Sequence, residues 1–158
     1  MKAKFNSQIC TTREQSEKLL ALGLKPDTAD MTHHYLYSVD GYEQKDVEFS
    51  RIMHLQDLVN KKRVLGRSGD DLYAKDIPAW SMHRLMQMMP TPIKCRNSHE
   101  YADLYVNCEL VQYRFYDTDY MHDVCYEHFN DGNVYDNVID CMEWLIKEGH
   151  FNKAYMEE

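Results

Sequence analysis

A chain of 158 residues, 44% hydrophobic, 28% charged and 12% aromatic, suits one compact domain with a single core better than a multidomain enzyme. No apolar run approaches the roughly 20 residues that cross a bilayer, and Met1 to Asn6 lack the apolar core of a secretory signal, which predicts a soluble, cytoplasmic protein. The net charge of -8 is one-sided: residues 97–158 hold three bases, Arg114, Lys147 and Lys153, against 14 acids, a balance that repels phosphate backbones.

Taken in chain order, the first element begins at Thr11-Thr12-Arg13-Glu14-Gln15, where a Thr caps and a Glu or Gln three residues on reaches back to the free amides. Ser16, Leu19, Leu20 and Leu22 follow at helical spacing until Gly23, and Pro26 forbids continuation, so a helix is expected over residues 12–23. Thr32 to Asp40, with Tyr35, Tyr37 and Val39 alternating with His34, Leu36 and Ser38, reads as a strand closed by Asp40-Gly41. Residues 42–75 are polar and charged. They are expected to form an excursion with one weak helical pattern at Val47, Ile52, Leu55, Leu58 and Val59.

Asp76 is a potential cap and Pro78 fits a first turn, which predicts a helix over residues 78–89 that stops at Pro90-Thr91-Pro92. Within it Met82, Leu85, Met86 and Met89 share one face, the expected core stripe, with an exposed Met-rich patch as the alternative. Tyr101 to Tyr116, rich in aromatic and β-branched residues, reads as one long strand or a bulged pair. After a turn at Asp117-Thr118-Asp119, residues 120–129 fit a strand or a helix, because Met121, Val124, Cys125 and His128 also match the helical period. Val134, Val138, Ile139, Met142, Leu145 and Ile146 mark a last helix over about residues 134–148, stopped by Gly149, with Trp144 as its anchor. The expected fold is a single α+β domain in which these helices pack on one face of a mainly antiparallel sheet.

Four blocks carry a resemblance: Thr12-Arg13-Glu14-Gln15-Ser16-Glu17-Lys18-Leu19-Leu20-Ala21-Leu22-Gly23-Leu24, Asp27-Thr28-Ala29-Asp30-Met31, Ile77-Pro78-Ala79-Trp80-Ser81-Met82, and Tyr135 to Leu145. Together they resemble a family of small uncharacterised proteins from gut Bacteroides and their phages or mobile elements. The excursion at 42–75 is longer than that family's usual connection. The resemblance implies an accessory protein of phage or mobile-element origin and brings no activity with it.

Few residues carry chemistry. No nucleotide-binding glycine motif is present, and Leu65-Gly66-Arg67-Ser68-Gly69 lacks the lysine of a phosphate cradle, so no cofactor is expected. Cys10, Cys95, Cys108, Cys125 and Cys141 are scattered and odd in number, a pattern of reduced and mostly buried thiols. His33-His34 after Asp30 has ligand types, but neighbours on a strand face opposite ways, and the pair reads as a polar strand edge. His122, Cys125 and His128 are a candidate zinc set. On a helix the outer two diverge by about 120°, and on a strand the middle one faces away.

Three functions follow. The leading one is a noncatalytic interaction protein whose acidic, Tyr-rich C-terminal part docks a basic protein partner, with Tyr113, Tyr116, Asp117, Asp119 and Tyr120 as contact candidates. The second is a metal- or thiol-dependent enzyme built on His122, Cys125 and His128. The third, disfavoured by charge, is weak nucleic-acid binding through Lys61, Lys62, Arg63 and Arg67.

Overall fold

The computed structural model describes residues 8–35, 50–54, 77–96 and 99–157. Helix α1, Arg13–Ala21, starts as its sequence requires. The Thr12 hydroxyl accepts from the Gln15 amide at 3.2 Å and the Gln15 side chain accepts from the Thr12 amide at 2.9 Å, a complete capping box. It ends at Gly23, whose φ of 91° is open to glycine at no steric cost, and the Gly23 and Leu24 amides return to the carbonyls of Leu20 and Leu19.

The chain divides into two compact units, residues 1–84 and 85–158. In the first, strand β1 (Met31–Tyr35) lies between β2 (Ser50–His54) and β3 (Ile77–Ala79), antiparallel to both. Residues 36–40 of the expected strand lie outside the described residues, as does most of the charged excursion. Where Ile52 was read as part of a weak helical pattern, residues 50–54 form β2. The expected helix over 78–89 is also displaced. Ile77–Ala79 is a strand, which tolerates Pro78 because β3 is an edge of its sheet, and the helix α2 spans only Met82–Met88.

Its start is set by Ser81 and not by Asp76: the Ser81 oxygen accepts from the Arg84 amide at 3.2 Å, while the Ser81 amide and hydroxyl both donate to the Asp30 carboxylate. Leu85, Met88 and Met89 are buried and Met86 is 41% exposed, so the core stripe takes in Met88 and leaves out Met86. The Trp80 side chain is fully enclosed and its indole N–H donates to the Thr28 hydroxyl at 3.0 Å.

The second unit is a meander in the order β4-β5-β6-β7, formed by Ile93–Lys94, Tyr101–Val106, Val111–Asp117 and His122–Phe129. Residues 101–116 are therefore two strands, and 122–129 is a strand rather than a helix. Helix α3, Val134–Lys147, is capped by Asn133, whose side chain accepts from the Tyr135 and Asp136 amides. Val138, Ile139, Cys141, Met142 and Leu145 of α3 are buried, and so are Ala102, Val111 and Tyr113 of the sheet. Each such large apolar side chain contributes about 2 kcal/mol by leaving water. Trp144 joins helix to sheet, its ring lying 5.9, 6.0 and 6.1 Å from those of Tyr113, Tyr126 and Phe129.

The described residues thus form a mixed α+β fold whose pairing is antiparallel throughout, shared between two sheets. None of the helices among them is long and apolar enough to cross a membrane.

Candidate interaction face

The meander has two faces, and alternation along β5 and β6 assigns them. Ala102, Leu104 and Val106 of β5 and Val111, Tyr113 and Phe115 of β6 turn to α3, while Tyr101, Asp103, Tyr105, Gln112, Arg114 and Tyr116 turn away from it. On β7 the alternation changes phase. Tyr113 lies opposite Glu127 but Arg114 lies opposite Cys125, which leaves Tyr126 as an extra residue in a bulge. Tyr126 therefore reaches the helix side, where its hydroxyl accepts from the Arg96 amide at 3.0 Å and its ring meets Trp144.

That bulge decides the fate of the candidate zinc set. A regular strand would put His122 and His128 on one face and Cys125 on the other. Here Cys125 and His128 share the outer face, opposite Arg114 and Gln112, and His122 is on the other phase, opposite Asp117. The His122 ring stands beside Tyr120 with Nδ1 3.2 Å from the Tyr120 carbonyl oxygen. No group of three or more His, Cys, Asp or Glu residues among the described residues is placed to hold a metal ion. The Cys125 thiol points to the Gln112 side-chain oxygen at 3.8 Å and the Glu127 carbonyl at 3.6 Å.

Outside the bulge the outer face is an ordered array. Asp103, Arg114 and Cys125 form one cross-strand row, Tyr105, Gln112 and His128 a second, and Tyr116 lies opposite Asp123. The Arg114 guanidinium carbon is 5.2 Å from the centre of the Tyr105 ring, a distance at which the ring face attracts the cation. Tyr101, Tyr105 and Tyr116 are 58%, 45% and 52% exposed. At the β6–β7 tip the Asp117 carboxylate accepts from the amides of Asp119 (2.9 Å) and Tyr120 (3.1 Å), closing the turn from within. Beyond it Tyr120 and Met121 project, 75% and 77% exposed, with Met121 in the left-handed region at φ 55°.

Of the five contact candidates, Tyr116, Asp119 and Tyr120 are exposed, and Asp117 is half-buried and engaged in its own turn. Tyr113 is corrected: it is fully buried and its hydroxyl donates to the Pro90 carbonyl at 2.6 Å, so it packs the core rather than the surface. Sequence reasoning missed Tyr101, Tyr105 and Arg114, although the alternation of Tyr101, Asp103 and Tyr105 with apolar residues was the signal for them. The basic cluster Lys61, Lys62, Arg63 and Arg67 lies outside the described residues.

The acidity is spread over the unit. Asp103 and Asp123 lie on the outer face, Asp117 and Asp119 at the tip, and Asp136, Asp140 and Glu143 on α3 against the opposite side. Two bases lie on the outer face, Arg114 and the exposed Lys94, which pairs with Tyr101 at the far edge of the meander from β7, and from Phe115 to Ile146 the chain holds eight acids and no Lys or Arg.

The first unit carries a polar cluster that has no local signature in the sequence. The Thr11 hydroxyl accepts from the Trp80 amide at 3.0 Å and meets the Ser16 hydroxyl at 2.7 Å, and the Thr11 carbonyl lies 2.8 Å from His33 Nε2. His33 is thereby committed to a backbone oxygen, on the central strand of its sheet and not on an edge. Ser81 is likewise committed, donating to Asp30 and accepting from Arg84, so this Ser–Asp pair positions a helix start. Burial pushes the Cys10 thiol up to about 11 and the Cys141 thiol up to about 12, aided by the negative charges of Asp30 and Glu127 respectively. Thiols so raised are protonated at neutral pH and are weak nucleophiles. Comparison with protein-family models, with curated proteins and with solved structures finds no match.

Proposed function

We propose that the protein works by binding another protein through the outer sheet face and β6–β7 tip of its second unit, as a noncatalytic accessory protein of a phage or mobile element. The observation that carries the reading is the concentration of exposed apolar surface there. Of seven large hydrophobic side chains exposed among the described residues, Tyr101, Tyr105, Tyr116, Tyr120 and Met121, five in all, belong to this one meander. Scattered singly they would be unremarkable; gathered on one sheet face and its tip they form the kind of aromatic patch that interfaces use. Tyrosine suits that role because a large ring with few rotatable bonds gives contact area at low entropic cost and its hydroxyl stays paired at the rim.

Partner charge follows from the surroundings. Asp103, Asp119 and Asp123 flank the rings, which favours a partner rich in Lys and Arg. The mobile-element assignment rests on the resemblance of the four sequence blocks. Affinity capture from a lysate of the source organism tests the reading, comparing the native chain with the double variant Tyr116→Ser, Tyr120→Ser. The expected result is one reproducible basic protein retained by the native chain, lost from the variant at unchanged far-UV circular dichroism, and released as salt rises from about 0.1 M to about 0.5 M. Capture indifferent to both tyrosines, or turnover of a substrate abolished by a point mutation, refutes it.

A further inference from the structure

Strand β7 is the terminal strand of the meander, and no described strand pairs with its second edge. An edge of this kind presents a row of backbone donors and acceptors, and proteins that do not use it blunt it with Lys, Pro or a bulge. His122–Phe129 contains neither Lys, Arg nor Pro. Its bulge at Tyr126 disturbs the C-terminal half, where the His128 amide donates to the Glu127 side chain at 3.1 Å. The N-terminal half, His122–Cys125, pairs regularly with Arg114–Asp117, so its other edge keeps the regular strand spacing that a further strand needs.

The charge around the outer edge of this half is mainly negative, Arg114 lying on the inner neighbour strand opposite Cys125. Asp123 is exposed on this half, Asp119 is exposed on the adjoining tip, and the 32 residues from Phe115 to Ile146 hold no Lys or Arg, His122 and His128 being the imidazoles among them. On the helix side the Arg96 guanidinium is engaged by Glu148 at 3.1 Å. Arg114 is drawn over the Tyr105 ring. Neither lies on β7.

Resting on the interaction reading above, we infer that the partner contributes an extended Lys- and Arg-rich segment that adds antiparallel or parallel to the free edge of β7 at His122–Cys125 as a fifth strand. Backbone hydrogen bonds hold the segment in place, and alternate basic side chains reach Asp123 and Asp119 while the intervening apolar ones lie against Tyr120 and Met121. Strand addition gives affinity with little demand on sequence, and the carboxylates of Asp119 and Asp123 supply the choice of partner.

Amide hydrogen exchange with defined decapeptides tests this. The probes are an acetylated peptide alternating Lys and Val, its Glu and Val counterpart, and the Lys and Val peptide methylated on alternate backbone nitrogens. The Lys and Val peptide is expected to slow exchange at His122–Cys125 by about tenfold, and the double variant Asp119→Asn, Asp123→Asn to weaken its binding by about threefold to tenfold. The methylated peptide, which keeps the charge and loses the strand donors, is expected to leave exchange unchanged.

Equal binding of the methylated peptide overturns strand addition while leaving side-chain docking on the tyrosine face intact. Equal binding of the Glu and Val peptide overturns the basic occupant. Protection that appears on raising protein concentration alone assigns the edge to a second copy, and absence of protection with every peptide refutes the strand-addition site. In each case the tyrosine double variant, read by capture, decides the interaction reading separately.

Discussion

Asn137 sets the strongest test of how the second unit is held together. Its side chain is 1% exposed and makes three hydrogen bonds, accepting from the Gly132 amide at 3.0 Å and donating to the carbonyls of Gly132 at 3.1 Å and Glu109 at 3.0 Å. One amide group thus ties the turn between β5 and β6 and the loop after β7 to the first turns of α3. Asn137→Ala removes all three bonds, and at about 1 kcal/mol net for each the variant loses about 3 kcal/mol. Asn137→Asp keeps the shape but, when ionised, sets a negative charge against two carbonyl oxygens, and it is expected to cost more than alanine at pH 7.

The aspartate variant also acquires a pH dependence whose sign is fixed. Burial and the facing carbonyls raise its folded-state pKa above the unfolded value of about 3.9. The neutral acid, which can donate one bond, is therefore favoured by folding. Stability relative to Asn137→Ala is present below about pH 4 and is lost as pH rises through the folded value. Urea unfolding followed by Trp144 fluorescence in a Trp80→Phe background reports the second unit alone, because Trp144 is then the sole tryptophan. An alanine variant within about 0.5 kcal/mol of the native chain, or an aspartate variant whose deficit is the same at pH 4 and pH 7, refutes the assignment.

Three further outcomes follow from the thiols and from the hairpin tip. Cys108 and Cys125 are exposed and Cys10, Cys95 and Cys141 buried, so Ellman titration at pH 8 should find two fast thiols in the native protein and five in denaturant. The raised Cys10 and Cys141 contribute stability that is complete below about pH 9 and is lost as pH climbs toward their folded values of about 11 and about 12. Replacing both by alanine should flatten that alkaline decline in the urea midpoint. Met121 holds φ 55° with a side chain 77% exposed, so Met121→Gly relieves backbone strain at little cost in packing and should raise stability by about 0.5 kcal/mol; a fall would mean that the side chain contributes more than its exposure indicates.

What the sequence disclosed was what is written locally. The capping box at Thr12 and Gln15, the stop at Gly23, and the apolar stripe of α3 between Asn133 and Gly149 each depend on residues within a turn or two of one another. The β5–β6 hairpin was hidden because its turn carries no Gly or Pro. Asn107 makes it, accepting from the amides of Glu109 at 2.8 Å and Leu110 at 2.9 Å. The helix–strand ambiguity over residues 120–129 has a physical source in Tyr126, since an inserted residue breaks the period of two and leaves an apparent period nearer that of a helix. Pro78 misled in a similar way, since the fixed φ that suits a first helical turn suits an edge strand as well. The outer-face array was legible in the alternation of β5, whereas the rows that assemble it across strands needed the register.

The Thr11 cluster has a further consequence for how the chain comes to be folded. Its amide and hydroxyl are both joined to the backbone of Trp80, and its carbonyl to His33, so the first unit closes only when segments 69 residues apart meet. During synthesis the early segment must wait, its apolar side chains uncovered, until Trp80 has left the ribosome. The meander that follows is made of sequence neighbours and needs no such delay. The half translated last is therefore the one whose contacts form over the shorter loops, and a chaperone acting on this protein would be needed chiefly for the half translated first.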